Sequence, residues 1–330
     1  GQDTGLTENP LGLPAWPYEL AYAIQDRMFY DTGELFFPAF PGDPFYDDFI
    51  TGEGAVLPPD LFPGGGPTAL AEFFGDHMVV NGVIWPKEDV EPRNYRLHLL
   101  NGTDSRFMMI RFRVAASPIA TDLTGAGAPI NFWVIGSDQG LAAAATQTDM
   151  LVFEPGSRYD IVFDFKNLQG MRIIMENIAG DAPFGGDFGE DLDADDLFHD
   201  RQTDRVMAFD VADVPNVADG FTPAAIEHYQ GNGGAVDRTR RVALFEGMDE
   251  FGRLQPLLGT AEPATDYQGN PINWPNTPEY VNAGLVGQME GAIACHSPTT
   301  ENPALGATEM WEVFNVTGDS HPVHLHLVHF

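Results

Sequence analysis

Glycine and proline punctuate this chain densely, at 36 and 26 of its 330 residues, which favours short strands joined by turns. Phe (24) is the dominant aromatic, and the mixture reads as an all-β protein. The length suggests two or three domains and is ample for sizeable cores. No window of about 18 uninterrupted apolar residues occurs, so no membrane-spanning helix is expected.

Acidic residues outnumber basic ones 49 to 16, a net charge of −33. Nucleic acid is therefore excluded as a partner class, because no basic patch exists to neutralise phosphate. Acidity of this size keeps a chain soluble at the cost of self-repulsion, which salt screens. A salt-rich habitat and a merely acidic extracellular protein explain it equally well. The one cysteine, Cys295, rules out an internal disulfide and a CxxC zinc site, and it reads as a loop thiol. The start, Gly-Gln-Asp, lacks an initiator Met and a signal-peptide pattern, so a processed or truncated start is expected.

Strand signals recur along the chain. Residues 1–17 are polar and Pro-rich and read as a linker. From Tyr18 a strand, a turn at Asp31-Thr32-Gly33 and a second short strand are expected. Residues 40–70, with PGDP, LPPD and PGGGP, read as a surface loop. Asn81-Gly82 is a hairpin signal. Tyr95, Leu97 and Leu99 then alternate with Arg96, His98 and Leu100 as in a half-buried strand, Arg93 and Arg96 pairing locally. Glu154 to Asp160 reads as a turn feeding a buried strand and carries no evident chemistry. Residues 181–204 form an acidic loop, but their spacing lacks the Gly and Glu of a calcium loop, so it reads as solvated, with His199 exposed. Val206–Val211 looks like a closing strand, and residues 212–240 a linker rich in Pro, Gly and Ala. The run RRVALFEGMDEFGRLQPLLG opens another domain, and Thr308–Thr317 alternates as a strand leading to His321.

Four of the nine histidines lie in the last ten residues, HPVHLHLVHF. On a strand His324 and His326 face the same way, while Pro322 fixes its own φ and sets His321 apart. Imidazole suits copper, zinc, iron and nickel. An isolated His-x-His is about as often an adventitious metal site as a functional one.

The whole string HPVHLHLVHF resembles the third of four copper-binding motifs in multicopper oxidases, notably the branch of spore-coat laccase, bilirubin oxidase and phenoxazinone synthase. The segments QDRMFYDTGELFFP, VNGVIWPKEDVEPRNYRLHLLNGTDSRF and EPGSRYDIVFDF are similar to further blocks of that family, with His98 where Arg is usual. The resemblance implies tandem cupredoxin-like (plastocyanin-like) Greek-key β-sandwich domains, the second of them incomplete. Residues 1–17 would be a linker from a missing first domain, 18–211 the second cupredoxin-like domain, 212–240 a linker, and 241–330 the first part of the third domain.

It further implies that His321 is a ligand of type 1 copper, His324 of type 2 copper and His326 of a type 3 copper; His329 receives no role. The family's four coppers draw on further His-x-His pairs and on a His-Cys-His motif that this sequence does not contain; Ala294-Cys295-His296 fails that comparison. The parent would be an oxidoreductase that couples one-electron oxidation of phenols, aminophenols, bilirubin-like tetrapyrroles or metal ions to reduction of dioxygen to water. The 330 residues alone would be inactive and in need of the missing flanking domains. An extracellular, periplasmic or spore-surface location follows by the same analogy. The alternative is a non-catalytic copper-binding or structural module in which the three histidines share one ion.

Overall fold

The computed structural model describes residues 11–38, 72–138, 140–226, 234–248, 254–261, 291–293 and 301–326. The loop expected at 40–70, Cys295, His228, His296 and His329 lie outside these residues. The chain divides into two compact units. The first comprises Gly1–Phe37, Glu72–Gln230 and Pro322–Phe330; the second comprises Pro38–Ala71 and Gly231–His321.

The strands of the first unit are β1 (Glu19–Phe29), β2 (Leu35–Phe36), β3 (His77–Val80), β4 (Val83–Ile84), β5 (Lys87–Val90), β6 (Asn94–Asn101) and β7 (Met108–Val114). They continue with β8 (Phe132–Ser137), β9 (Gly140–Thr148), β10 (Leu151–Phe153), β11 (Arg158–Asp164), β12 (Arg172–Asn177) and β13 (Arg205–Val211). One sheet runs β4-β3-β1-β6-β11-β8-β9, with β2 added on β1; the other runs β10-β7-β12-β13-β5. Because the chain passes repeatedly from one sheet to the other, apolar side chains of both inner faces meet in one core. Leu97 and Phe163 of the first sheet join Phe112 and Phe209 of the second. The Phe112 and Phe163 rings lie 4.6 Å apart. The expected all-β sandwich is present in the first unit.

Local signals act where the chemistry requires them. Asn81 and Gly82 both take positive φ, 50° and 83°, and join β3 to β4 as a tight hairpin. The strand–turn–strand expected from Tyr18 is β1 and β2. Strand β6 departs from its half-buried reading, since Arg96 is buried too. Its partners are not local: Nε donates to both Asp160 oxygens at 3.0 Å, and Nη1 lies 3.2 Å from Glu19 Oε1. A sheet places distant residues side by side, which sequence spacing does not reveal.

Two stretches read as linkers are packed. Leu13, 2% exposed, and Ile226 cover Ile135 and Val162 on the outer face of the larger sheet. Asp219 receives hydrogen bonds from the Asn94 backbone N–H and side-chain amide, at 3.1 and 2.8 Å. The acidic loop contains two short 3-10 turns, Gly189–Asp191 and Ala194–Asp196, and His199 is exposed as expected. Asp181, at its start, is instead buried.

In the second unit, β14 (Arg238–Met248), β15 (Leu254–Thr260), β16 (Gly291–Ile293) and β17 (Glu309–Asn315) form one sheet in the order β16-β15-β14-β17. Arg240 is buried and bonds Glu309 through Nε at 2.6 Å and Glu301 through Nη1 at 3.1 Å. The expected strand before His321 is therefore β17, but most of its residues are exposed on both faces rather than alternating.

Candidate metal centre

Residues 321–325 have no regular secondary structure and His326 sits at a bend. The expected strand carrying His324 and His326 side by side is thus not formed among the described residues. Pro322 lacks an N–H and cannot donate to a ladder, and no described strand pairs with the segment. His321 and His324 are held by different means.

His321 belongs to the second unit, where β17 ends in a turn. The Asn315 carboxamide oxygen accepts from Thr317 N–H at 3.1 Å and pairs with its hydroxyl at 2.8 Å, fixing that hydroxyl in place. His321 Nε2 lies 2.8 Å from Thr317 Oγ1 and 3.1 Å from Glu246 Oε1. Both neighbours favour a hydrogen on Nε2, which leaves Nδ1 as the nitrogen with a lone pair.

His324 belongs to the first unit. Its Nδ1 lies 2.8 Å from Asp138 Oδ2, and its Nε2 lies 3.2 Å from the carbonyl oxygen of Pro155. Asp138 follows β8, and its Oδ1 accepts the Arg158 backbone N–H at 2.8 Å. Arg158 opens β11 after a turn in which Gly156 has φ 79°. A Cβ on Gly156 would stand 3.0 Å from His324 Nε2, so glycine there serves both the turn and the ring.

Burial works against charge on His324, but the Pro155 carbonyl and the Asp138 carboxylate outweigh it and raise its pKa. Burial would raise the Asp138 carboxyl, but the Arg158 N–H and His324 carry it below its usual range. The Glu154–Asp160 turn, which carried no chemistry in the sequence, thus holds a candidate ligand. Asp138 and Pro155 had no signal in sequence, being 186 and 169 residues from His324.

His326 is exposed, and no partner fixes it among the described residues. Other described histidines have structural surroundings. His77 pairs with Asp76 at 2.6 Å and stacks on Trp85, and His98 lies 2.7 Å from Glu19.

Among the described residues no cluster of three metal-ligand side chains includes a histidine. Each of His321, His324 and His326 therefore offers copper at most a single donor, with no set completed among the described residues. The His324 ring is held between the Asp138 carboxylate at Nδ1 and the Pro155 carbonyl at Nε2, with Gly156 packed against Nε2. One imidazole retains a metal ion poorly, because affinity grows with ligand number and preformed geometry.

No protein-family model matches the chain. Its sequence is similar to a laccase of Bacillus subtilis, 29% identical over 323 residues, which is 98% of this chain and 49% of that protein. A laccase of Haloferax volcanii is 26% identical over 98% of this chain and 43% of its own length. A bilirubin oxidase of Albifimbria verrucaria is 29% identical over 79% of this chain and 37% of its own length. Among solved structures, the McoA multicopper oxidase of Aquifex aeolicus matches with TM-score 0.47 and 22% identity, covering 78% of this chain and 44% of that one. The chain spans about half the length of the curated relatives it matches.

Proposed function

We propose that this multicopper-oxidase chain supplies the second cupredoxin-like domain (18–211) and the first part of the third (241–330) to a laccase-like oxidase. Residues 1–17 and 212–240 are the connections on this reading. His321 is a ligand of type 1 copper, His324 of type 2 copper and His326 of a type 3 copper, and the remaining ligands of the four coppers come from elsewhere in the enzyme. The whole enzyme oxidises a phenolic, aminophenolic, bilirubin-like or metal-ion donor one electron at a time and reduces dioxygen to water. The 330 residues by themselves do not turn over, because no copper has a full donor set.

The observation that carries this reading is similarity over 98% of the chain to a laccase, combined with the HPVHLHLVHF string. Within it, the role of this chain's own residues is to orient single donors: Thr317 and Glu246 at His321, Asp138 and Pro155 at His324. An extracellular or surface location belongs to the same proposal. No described helix is long and apolar enough to cross a membrane.

The test is the gene itself. Two His-x-His pairs encoded before residue 1 and a His-Cys-His after residue 330 are expected. The complete product should bind four coppers and consume dioxygen with a phenol, and His321→Ala should abolish that uptake. A gene lacking those motifs, or a copper-loaded complete product that leaves dioxygen untouched, would overturn the proposal.

A further inference from the structure

We propose that the first unit binds a small organic anion, a carboxylate on an aromatic body, in a cavity between the β4–β5 corner and strands β12 and β13. Arg205 is the contact to the carboxylate. None of the candidate copper ligands lines this cavity, so the site stands apart from the copper chemistry.

The cavity holds about 460 Å³, within the range of small-molecule sites. Trp85, between β4 and β5, Ile174 of β12 and Met207 of β13 give it apolar surface. Lys87, Arg172 and Arg205 line it as well, and among the described residues no carboxylate does. The chain has 16 basic and 49 acidic residues, so three cations and no acid around one cavity run against its composition. A low-dielectric pocket lined by one sign of charge attracts the other.

The three cations are not equivalent. Lys87 Nζ lies 3.1 Å from Asp210 Oδ2, and Arg172 donates to Asp210 from Nε at 2.7 Å and from Nη2 at 2.9 Å. Their donors are committed to a carboxylate outside the lining. Arg205 donates from Nη1 to the Thr121 carbonyl at 2.6 Å, but its Nε has no acceptor. Asp204 Oδ1 is 3.4 Å from that Nε and forms no hydrogen bond with it. A buried donor without an acceptor is costly, and a ligand carboxylate, whose two oxygens match a guanidinium edge, supplies one.

Trp85 is held in a conformation that its surroundings must enforce. Its φ is +41°, unfavourable for a bulky residue, and such strain gathers at binding sites. The Met78 carbonyl accepts its N–H at 3.2 Å, the His77 ring stacks on it at 5.2 Å, and the Arg205 guanidinium carbon lies 5.5 Å from its ring centre. The indole Nε1–H has no acceptor among the described residues. An aromatic acid would set its ring against Trp85 and its carboxylate at Arg205.

The test uses the full 330-residue chain with indole-15N-labelled tryptophan, the Trp85 signal among five being identified by its loss in Trp85→Phe. Benzoate, titrated to about 10 mM at constant ionic strength, should shift that signal saturably, since a millimolar site is nearly filled there. Benzyl alcohol, which has the body without the charge, should need about tenfold more. Acetate, which has the charge without the body, should leave the signal in place. Arg205→Gln should weaken benzoate about tenfold. Ala120→Phe, which fills the cavity and spares Arg205, should remove the shift while the other indole signals keep their positions, and it serves even where Arg205→Gln fails to fold.

No saturable shift, equal affinity in folded Arg205→Gln, or a shift that survives in Ala120→Phe would overturn the proposal. Acetate acting like benzoate would show a general response to anions and overturn it equally.

Discussion

The guanidinium of Arg106, with no solvent exposure, donates from Nε to Asp26 Oδ2 at 2.9 Å and from Nη1 to Asp181 Oδ1. Nη1 also donates to the carbonyl oxygen of Gly180 at 2.8 Å, and Nη2 to that of Gly75 at 2.7 Å. Asp26 lies on β1 and Asp181 at the head of the acidic loop, so one side chain ties β1, the segment before β3 and that loop together.

Removing the cation leaves buried Asp26 without this partner and leaves Asp181 with Arg201, whose Nε lies 3.5 Å from its Oδ2. Arg106→Ala is expected to destabilise the first unit by about 3–5 kcal/mol, as broken buried pairs do. Urea unfolding followed by tryptophan fluorescence measures it. A loss under about 1 kcal/mol would mean the carboxylates find water instead.

Asp219 gives the acid dependence a named contributor. Burial would raise its pKa, but hydrogen bonds from Asn94 and Phe221 and the nearby Lys166 carry it below the ordinary value. A carboxyl depressed in the folded state stabilises in full above its unfolded pKa of about 3.9 and loses that stabilisation as pH falls through the folded value. Asp219→Asn should therefore cost about 1 kcal/mol at pH 7 and flatten the acid limb of stability against pH. Parallel curves for both proteins below about pH 4 would refute the assignment.

The net charge of −33 makes self-repulsion a general term. Raising salt from 0.1 to 1 M shortens the screening length from about 10 to about 3 Å. The urea midpoint should rise over that range. A midpoint that stays level or falls would show that paired charges, not excess ones, dominate.

Strand β17 presents Met310, Trp311, Val313 and Phe314, each 42–45% exposed, at the edge of its sheet. An apolar edge strand frays and invites pairing. Brief chymotrypsin treatment should cut at Trp311 or Phe314 before any site in β6 or β11. Equal resistance in the two units would contradict this expectation.

Much of the fold was legible in one dimension. Asn81-Gly82 announced its hairpin because only residues tolerant of positive φ can make that turn. The alternation in β6 announced a strand because side chains two apart share a face. HPVHLHLVHF announced three candidate donors because few side chains bind transition metals and fewer are spaced so.

What the sequence by itself determined was therefore local: the strands, the turns, the all-β class and the identity of the candidate ligands. Tertiary structure alone decided the rest. It left residues 321–326 outside any strand, buried Arg96 and Asp181 beside distant opposite charges, packed Leu13 against Ile226, and set Asp138 and Pro155 at the two nitrogens of His324. The physical reason is that hydrogen bonds and ion pairs act over a few ångströms in space, and sheet pairing makes neighbours of residues whose separation along the chain carries no trace of it.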